Sequence, residues 1–386
     1  MKNVIWIRWL LCFKVEQDLS ADFLEELLDF LKNEIGEFHV VVMPDFFLDR
    51  FLSINFDAES FCDTLRDVIK RKGGSIDGIE QTEGRGGNAI NTASALAALG
   101  VKVTPIVCTN ELGLKFIKFH LKSSKANLSH VKILEKPSVT TAMEFKTEKG
   151  KANVMLRDVG SLADFGPNSL NSEDFEAIEN ADYICVFNWA GTRRFGTELA
   201  ETVFRHAKTK GKGKTYYDTA DPTPNKEKVP ELTRKVLRSR FVDILSVNEN
   251  EAVCYALQVS SELKKVEKHL EFDELAKEAA KILRSHLSAR VDLHTTNFSA
   301  TFTKKDETVV PAFKVPVLRA TGAGDAWNAG NIVGDACRLS DGCRLLLANA
   351  VAAYYISSPN GAHPTREKLK EFLKKLKRKS GSIVSA

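Results

Sequence analysis

Residues 320-ATGAGDAWNAGNIVGDA-336 combine the residue types best suited to chemistry. In Thr321-Gly322-Ala323-Gly324-Asp325 the two glycines let backbone N–H groups converge where a helix begins, which makes an anion site fit for a phosphate. An aspartate there is costly beside a phosphate unless it has work to do. The Asp325 carboxylate is placed to take the proton of a hydroxyl as that hydroxyl attacks phosphorus. The competing reading is a Gly-rich turn in which Asp325 only caps its helix. Two arginines invite a second question, because a guanidinium grips phosphate like a fork. Arg157 ends the second strand of a hairpin and Arg85 lies beside Gly86-Gly87. Either one holds a phosphate on the substrate or pairs with a nearby acid at the surface.

Short apolar runs alternating with helical patterns must position these groups. The first, 39-HVVVMPDFFLDRF-51, reads as a strand breaking into a polar loop, and residues 52–85 read as an exposed hairpin or lid. A Gly-Gly turn opens the alanine-rich helix 89–100, and VKVTPIVC (101–108) follows as a strand. Residues 139–157 alternate apolar and polar around Glu148-Lys149-Gly150, a hairpin signal. Buried runs at 181–187, 214–220 and 242–247 come next, then a strand pair at 291–295 and 299–303, and a buried strand is expected to end at Leu318. The pattern predicts an α/β fold: a doubly wound, mostly parallel sheet with helices on both faces. Residues 1–36 read as a helical extension, with Asp18 or Ser20 as its cap. Residues 37–386 read as one α/β domain with a small β-rich lid from about 50–86 and 138–158. The lysine-rich 366–379 reads as a final helix docked through Leu369, Phe372, Leu373 and Leu376.

Composition narrows the function classes. With 386 residues, 43% hydrophobic and 27% charged, the chain can bury a large core. Lys+Arg 55 against Asp+Glu 51 leaves a net charge of +4, too small to suggest nucleic-acid binding. The seven cysteines are scattered, with no CxxC pair, so reduced thiols in a cytoplasmic protein are expected, with neither a disulfide framework nor a zinc site. No run is long enough for a membrane span. MKNVIWIRWLLCF is interrupted by Arg8 and lacks a cleavage pattern, so it reads as a buried strand or docking segment rather than a targeting peptide.

TGAGDAWNAG resembles the carboxy-terminal signature of the ribokinase family, the PfkB carbohydrate kinases, and 84-GRGGNAINTASALAALG-100 is similar to its Gly-Gly-Asn loop and helix. The resemblance covers about residues 39–365. It implies a kinase that moves a nucleotide's terminal phosphoryl group to a hydroxyl of a sugar, nucleoside or sugar phosphate, with ribose 1-phosphate among the acceptors. Asp325 would be the base, and the backbone of Gly322, Ala323 and Gly324 the anion hole. Gly86 and Gly87 would approach the acceptor, and Asn88 and Asn91 would offer it amides, unless Asn91 is only a helix-surface residue. Asp49 would hold acceptor hydroxyls; Asp45 competes for that role. Asn248 and Glu251, in 246-SVNENEA-252, match the motif that organises Mg2+ beside the phosphates, although NxxE alone is often a helix cap.

Asp218 and Asp221 stand where the family often carries Asp-x-Asn-x-Arg, and a capped turn explains them as well. At the nucleotide end 293-LHTTNFSA-300 lacks the family's usual Gly-x-x-Gly, which leaves ATP and ADP both open as donors. His294 contacts the donor or sits in the core. Thr321, Asn349, Gly361 and Ala362, with His363 nearby, would line the nucleotide pocket. The resemblance also suggests a homodimer through the lid. Two rivals remain: a hydroxymethylpyrimidine- or pyridoxal-type kinase, a class that typically lacks the β lid, and a non-catalytic nucleotide-binding regulator.

Overall fold

Fourteen strands form among the described residues, in chain order: β1 (His39–Met43), β2 (Phe47–Ile54), β3 (Glu80–Gly86), β4 (Lys102–Pro105), β5 (Cys108–Thr109), β6 (Lys132–Ile133), β7 (Ser138–Thr147), β8 (Gly150–Asp158), β9 (Tyr183–Phe187), β10 (Lys214–Asp218), β11 (Ile244–Val247), β12 (Arg290–His294), β13 (Phe298–Phe302) and β14 (Glu307–Pro311). In the computed structural model, which describes residues 22–147, 150–266 and 269–381, eight of them make one sheet in the order β14-β13-β12-β11-β10-β9-β1-β4. From β4 to β12 neighbours run parallel; β13 and β14 are antiparallel.

The strands are buried on both sides, and alternate residues serve opposite faces. Val41, Met43, Ile184 and Val186 pack with Ile178, Leu199, Val203, Tyr255 and Leu283, from helices Ser172–Asn180, Gly196–Lys210, Glu249–Val259 and Phe272–His286. Val40, Val42, Tyr183 and Cys185 pack with Ile90, Ile332, Leu347 and Leu369, from helices Asn88–Ala98, Ala323–Ala336, Asp341–Ile356 and Arg366–Gly381. Each such side chain contributes roughly 1.5–3 kcal/mol by leaving water. No helix among the described residues is long and apolar enough to cross a membrane.

A second sheet, in the order β3-β2-β7-β8, stands off the first as the lid. Across it Gly84, Asp49, Thr140 and Arg157 fall in one row. The hairpin closes on the pair Thr147 and Gly150; the turn residues Glu148 and Lys149 lie outside the described residues.

Four expectations change. Residues 47–51 are not a loop: they begin β2, whose pairing with both β3 and β7 outweighs its polar positions. The stretch 52–85 contains a helix, Ala58–Lys70, with Asp57 as cap accepting from the Ser60 N–H at 2.8 Å. The spacing of Phe61, Leu65, Val68 and Ile69 is helical, although only Val68 is buried. No strand ends at Leu318: β13 and β14 already fill the sheet edge, and Val317 and Leu318 are 63% and 58% exposed.

Finally, residues 22–36 do not stand apart from the body. Helix 22–30 buries Leu27, and Glu26 accepts a hydrogen bond from the Ser340 hydroxyl at 2.6 Å. The apolar 1–13 segment, Cys12 and the expected caps Asp18 and Ser20 lie outside the described residues.

Candidate active site

Parallel strands deliver their carboxyl ends to one edge of the sheet, where ligands settle in such folds. Helices Asn88–Ala98 and Ala323–Ala336 both start at that edge. Gly322 caps the second with φ +86°, and a β-carbon there would meet the Tyr355 hydroxyl at 2.6 Å, so only glycine fits. Of the three amides expected to converge, that of Ala323 donates to the Ala320 carbonyl at 3.2 Å. No protein acceptor takes those of Gly322 and Gly324 among the described residues.

Asp325 does not cap its own helix. It is buried, and its two carboxylate oxygens accept from Asn88 Nδ2 at 2.8 Å and Asn91 Nδ2 at 3.0 Å. Burial pushes its carboxyl up to about 8, helped by the charges of Asp218 and Asp45 and opposed by the two amides. Asn91 is therefore no helix-surface residue. It is 5% exposed, and its Oδ1 is buried without a protein partner.

Gly87, the cap of helix Asn88–Ala98, has φ +90° and no side chain to offer. Asp45 serves in its place, accepting from the N–H groups of Asn88 (2.8 Å) and Ala89 (2.9 Å), and from Asn188 Nδ2 (2.7 Å). Asp49 projects from the lid strand instead; a β-carbon at Gly86 would run into its carboxylate. Burial pushes Asp49 up to about 7, against a hydrogen bond from Thr140 and the charge of Arg157. Arg157 shares that face and lies 5.1 Å above the Phe47 ring. The two aspartates are thus held differently, Asp45 engaged with backbone and Asp49 on the lid strand.

Asn248 and Glu251 form a capping box at the start of helix Glu249–Val259. The Asn248 side chain accepts from the Glu251 N–H, while Glu251 accepts from Asn248 N (3.0 Å) and Nδ2 (2.7 Å). Burial drives the Glu251 carboxyl well above its ordinary value, reinforced by the charges of Asp218, Asp221 and Glu249. Asp218 is buried and held by Asn328 Nδ2 at 2.7 Å, whereas Asp221 caps the Thr223 turn. A divalent cation would relieve this crowding of carboxylates. Among the described residues no three His, Cys, Asp or Glu side chains converge to hold a metal ion directly.

His294 sits below Gly324, whose β-carbon would lie 3.3 Å from its ring. Its ring packs 4.9 Å from that of Trp327, and its Nε2 is buried without a partner, 3.9 Å from Asp218. It is not a satisfied core histidine. Asn349, expected at the purine ring, is buried in a bracing role: its Oδ1 accepts from Ser299 and Trp327, and its Nδ2 donates to Pro311 O at 3.1 Å. Thr321 and Ala362 are exposed, Gly361 is buried, and His363 stacks on Tyr355 with ring centres 4.7 Å apart.

Sequence reasoning passed over Asn188, Asn328 and Tyr355. Asn188 carries a readable signal: a lone asparagine directly after the apolar run of β9, where φ is +49°. Asn328, one turn beyond Asp325, presents as a polar residue in an alanine-rich helix.

The chain resembles several solved structures. The ribokinase of Cryptococcus neoformans var. grubii serotype A, in complex with ADP, aligns at TM-score 0.66 and 18% identity over 88% of this chain and 99% of that one. Arabidopsis thaliana ribokinase, complexed with ribose and ATP, gives 0.63 and 19% over 88% and 99%. The nucleoside kinase of Methanocaldococcus jannaschii gives 0.60 and 17% over 88% and 100%. No curated protein matches the chain by sequence. The family model described as pfkB family carbohydrate kinase matches residues 54–368, most of the chain, including both glycine signatures and the lid strands β3, β7 and β8. The protein is thus a kinase that belongs to the pfkB family of carbohydrate kinases.

Proposed function

We propose that this kinase transfers the terminal phosphoryl group of ATP or ADP to a hydroxyl of a sugar, nucleoside or sugar phosphate, with Asp325 as general base. The observation that carries the reading is the pair of amides from Asn88 and Asn91 that holds the Asp325 carboxylate at the mouth of a helix. A carboxylate buried enough to titrate near neutrality, beside unpaired backbone N–H groups, can take a proton from an acceptor hydroxyl while the developing charge on phosphorus meets the Gly322–Gly324 backbone. Mg2+ would be held near Glu251, Asn248 and Asp218, where it would screen the phosphate charge. Thr321, His294 and the Gly361–Ala362 loop would border the nucleotide.

Gly86, Gly87, Asn88 and Asn91 would border the acceptor, with Asp49 and Arg157 closing over it from the lid. Because Arg157 shares the Asp49 face, an acceptor that already bears a phosphate, such as ribose 1-phosphate, suits the site. The lid also speaks against a vitamin-type kinase.

We also infer a homodimer through the lid, since β8 is an open sheet edge whose Val154, Met155 and Leu156 are 46–56% exposed. Sedimentation at micromolar concentration checks it: a monomer removes the dimer. A cytoplasmic setting fits the free thiols at Cys108, Cys185 and Cys343.

A coupled assay with Mg2+, and ATP and ADP in parallel, against pentoses, hexoses, nucleosides and sugar 1-phosphates tests the reading. Turnover confined to phosphorylated sugars supports the Arg157 role, and turnover on neutral sugars removes it. No turnover with any pair, alongside retained nucleotide binding, would make the protein a regulator.

A further inference from the structure

Beside the Gly322 turn lies a second group of side chains, two of them arginines that make no ion pair among the described residues. Arg85 projects from β3 on the face opposite Asp49, because it pairs in register with Leu48 while Asp49 pairs with Gly84. Its Nε is buried without an acceptor, and its one hydrogen bond, to the Gly361 carbonyl, is stretched to 3.5 Å. Arg319 lies 6.0 Å over the Tyr355 ring; its Nη2 donates to the Pro359 carbonyl at 3.2 Å, and its Nε is also buried and unpartnered. His363 stacks on Tyr355 with 15° between the ring planes. Only 8% of His363 is exposed, yet neither ring nitrogen has a partner.

The other deeply placed arginines behave differently. Arg290 pairs with Asp292 and Asp335, and Arg344 with Asp292 and Asp341. Among the described residues Arg85 and Arg319 form no ion pair; both are half-buried, each with a buried Nε that has no acceptor, and an unmade hydrogen bond at a charged group costs free energy. A ligand is the counter-ion that such an arrangement lacks.

We propose that Arg85, Arg319 and His363 form an anion subsite that takes a phosphate group, next to the Gly322 end of the glycine turn and separate from Arg157 on the lid. Two guanidinium forks and one imidazole N–H supply the donors, and Tyr355 holds Arg319 and His363 against one ring while its hydroxyl abuts Gly322. Burial, together with the charges of Arg85 and Arg319, holds His363 well below the usual imidazole range, so the histidine contributes one neutral donor and the arginines the charge. The phosphate can belong to the nucleotide chain or to the acceptor; that identity alone rests on the kinase reading.

The test is direct binding of inorganic phosphate to the full chain at constant ionic strength, followed by calorimetry and by the shift in melting temperature. The expected result is saturable binding that raises the melting temperature by about 2–4 °C. Arg85→Gln and Arg319→Gln should each weaken it about tenfold or more, while Arg66→Gln, on the exposed helix Ala58–Lys70, leaves it intact. Arg85→Gln removes only the stretched bond to Gly361, so it serves even where Arg319→Gln loosens the 357–361 loop. Displacement of phosphate by a non-hydrolysable ATP analogue assigns the subsite to the donor, and displacement by ribose 1-phosphate assigns it to the acceptor; either supports the proposal. Absence of binding, or binding unchanged in both variants, overturns it. Phosphate binding without turnover on any pair would sink the kinase reading and leave the subsite standing; turnover with phosphate binding insensitive to Arg85 and Arg319 would do the reverse.

Discussion

Helix Ala323–Ala336 carries an aspartate near each end, and the two have opposite surroundings. At the carboxyl end, burial works to raise Asp335. The charge and hydrogen bond of Arg290, and hydrogen bonds from Lys214 and Tyr183, outweigh that and hold it well below the usual carboxylate range. At the amino end two neutral amides hold Asp325 with no cation hydrogen-bonded to it, and burial, helped by the charges of Asp218 and Asp45, raises it to about 8. One carboxylate is fully matched by cations and fixes structure. The other is kept short of partners, and its readiness to accept a proton is the result. The difference teaches that burial alone does not set a carboxyl's proton affinity; burial without a paired cation raises it.

The contrast can be broken most sharply at Asp325. Asp325→Asn should lower kcat by about a thousandfold or more, on the order of 4 kcal/mol, with no loss of thermal stability at pH 8; an active variant would end its assignment as base. Asp335→Asn should do the opposite, removing about 2 kcal/mol of stability by leaving Arg290 with Asp292 alone while kcat of the folded fraction holds, as denaturant melts and assays below the melting range can show. Asn91→Ala should lower kcat about tenfold, near 1.4 kcal/mol, and move the rising limb of the pH–rate profile upward, because its amide favours the charged form of Asp325.

Proton linkage gives the smallest effect. For the native protein kcat/KM should rise with pH and level off above about 8, where Asp325 is ionised. Its folded value is raised above the unfolded one, so the stability it contributes is present below about 4 and is lost as pH climbs through about 8. Asp325→Asn abolishes that slope and should melt about 2 °C above the native protein at pH 9. For Asp335 the folded value is depressed, so its contribution is present above about pH 4 and disappears only in more acid solution.

Much of the scaffold was legible because burial on both faces leaves unbroken apolar runs: β1, β9, β10 and β11 lie where Val, Ile, Tyr and Phe cluster. The glycine signatures were legible because Gly87 and Gly322 have positive φ that few residues adopt. Less legible was anything fixed by pairing at a distance. β2 reads as a loop until β3 and β7 flank it, and the approach to Thr321 reads as a strand until β14 takes the edge. The partners of Asp325 were beyond local pattern altogether, since its two amides come from 237 and 234 residues earlier in the chain.

That separation also bears on when activity can appear. Asn88 and Asn91 leave the ribosome long before Asp325, and the carboxylate finds its two amides only when helix Ala323–Ala336 lies against helix Asn88–Ala98. A nascent chain, or one whose last third has come loose, would still present its glycine loop and lid but would lack a base to take up a proton. On the proposed reading of Asp325 as the base, turnover would therefore wait for chain completion and the docking of these two helices.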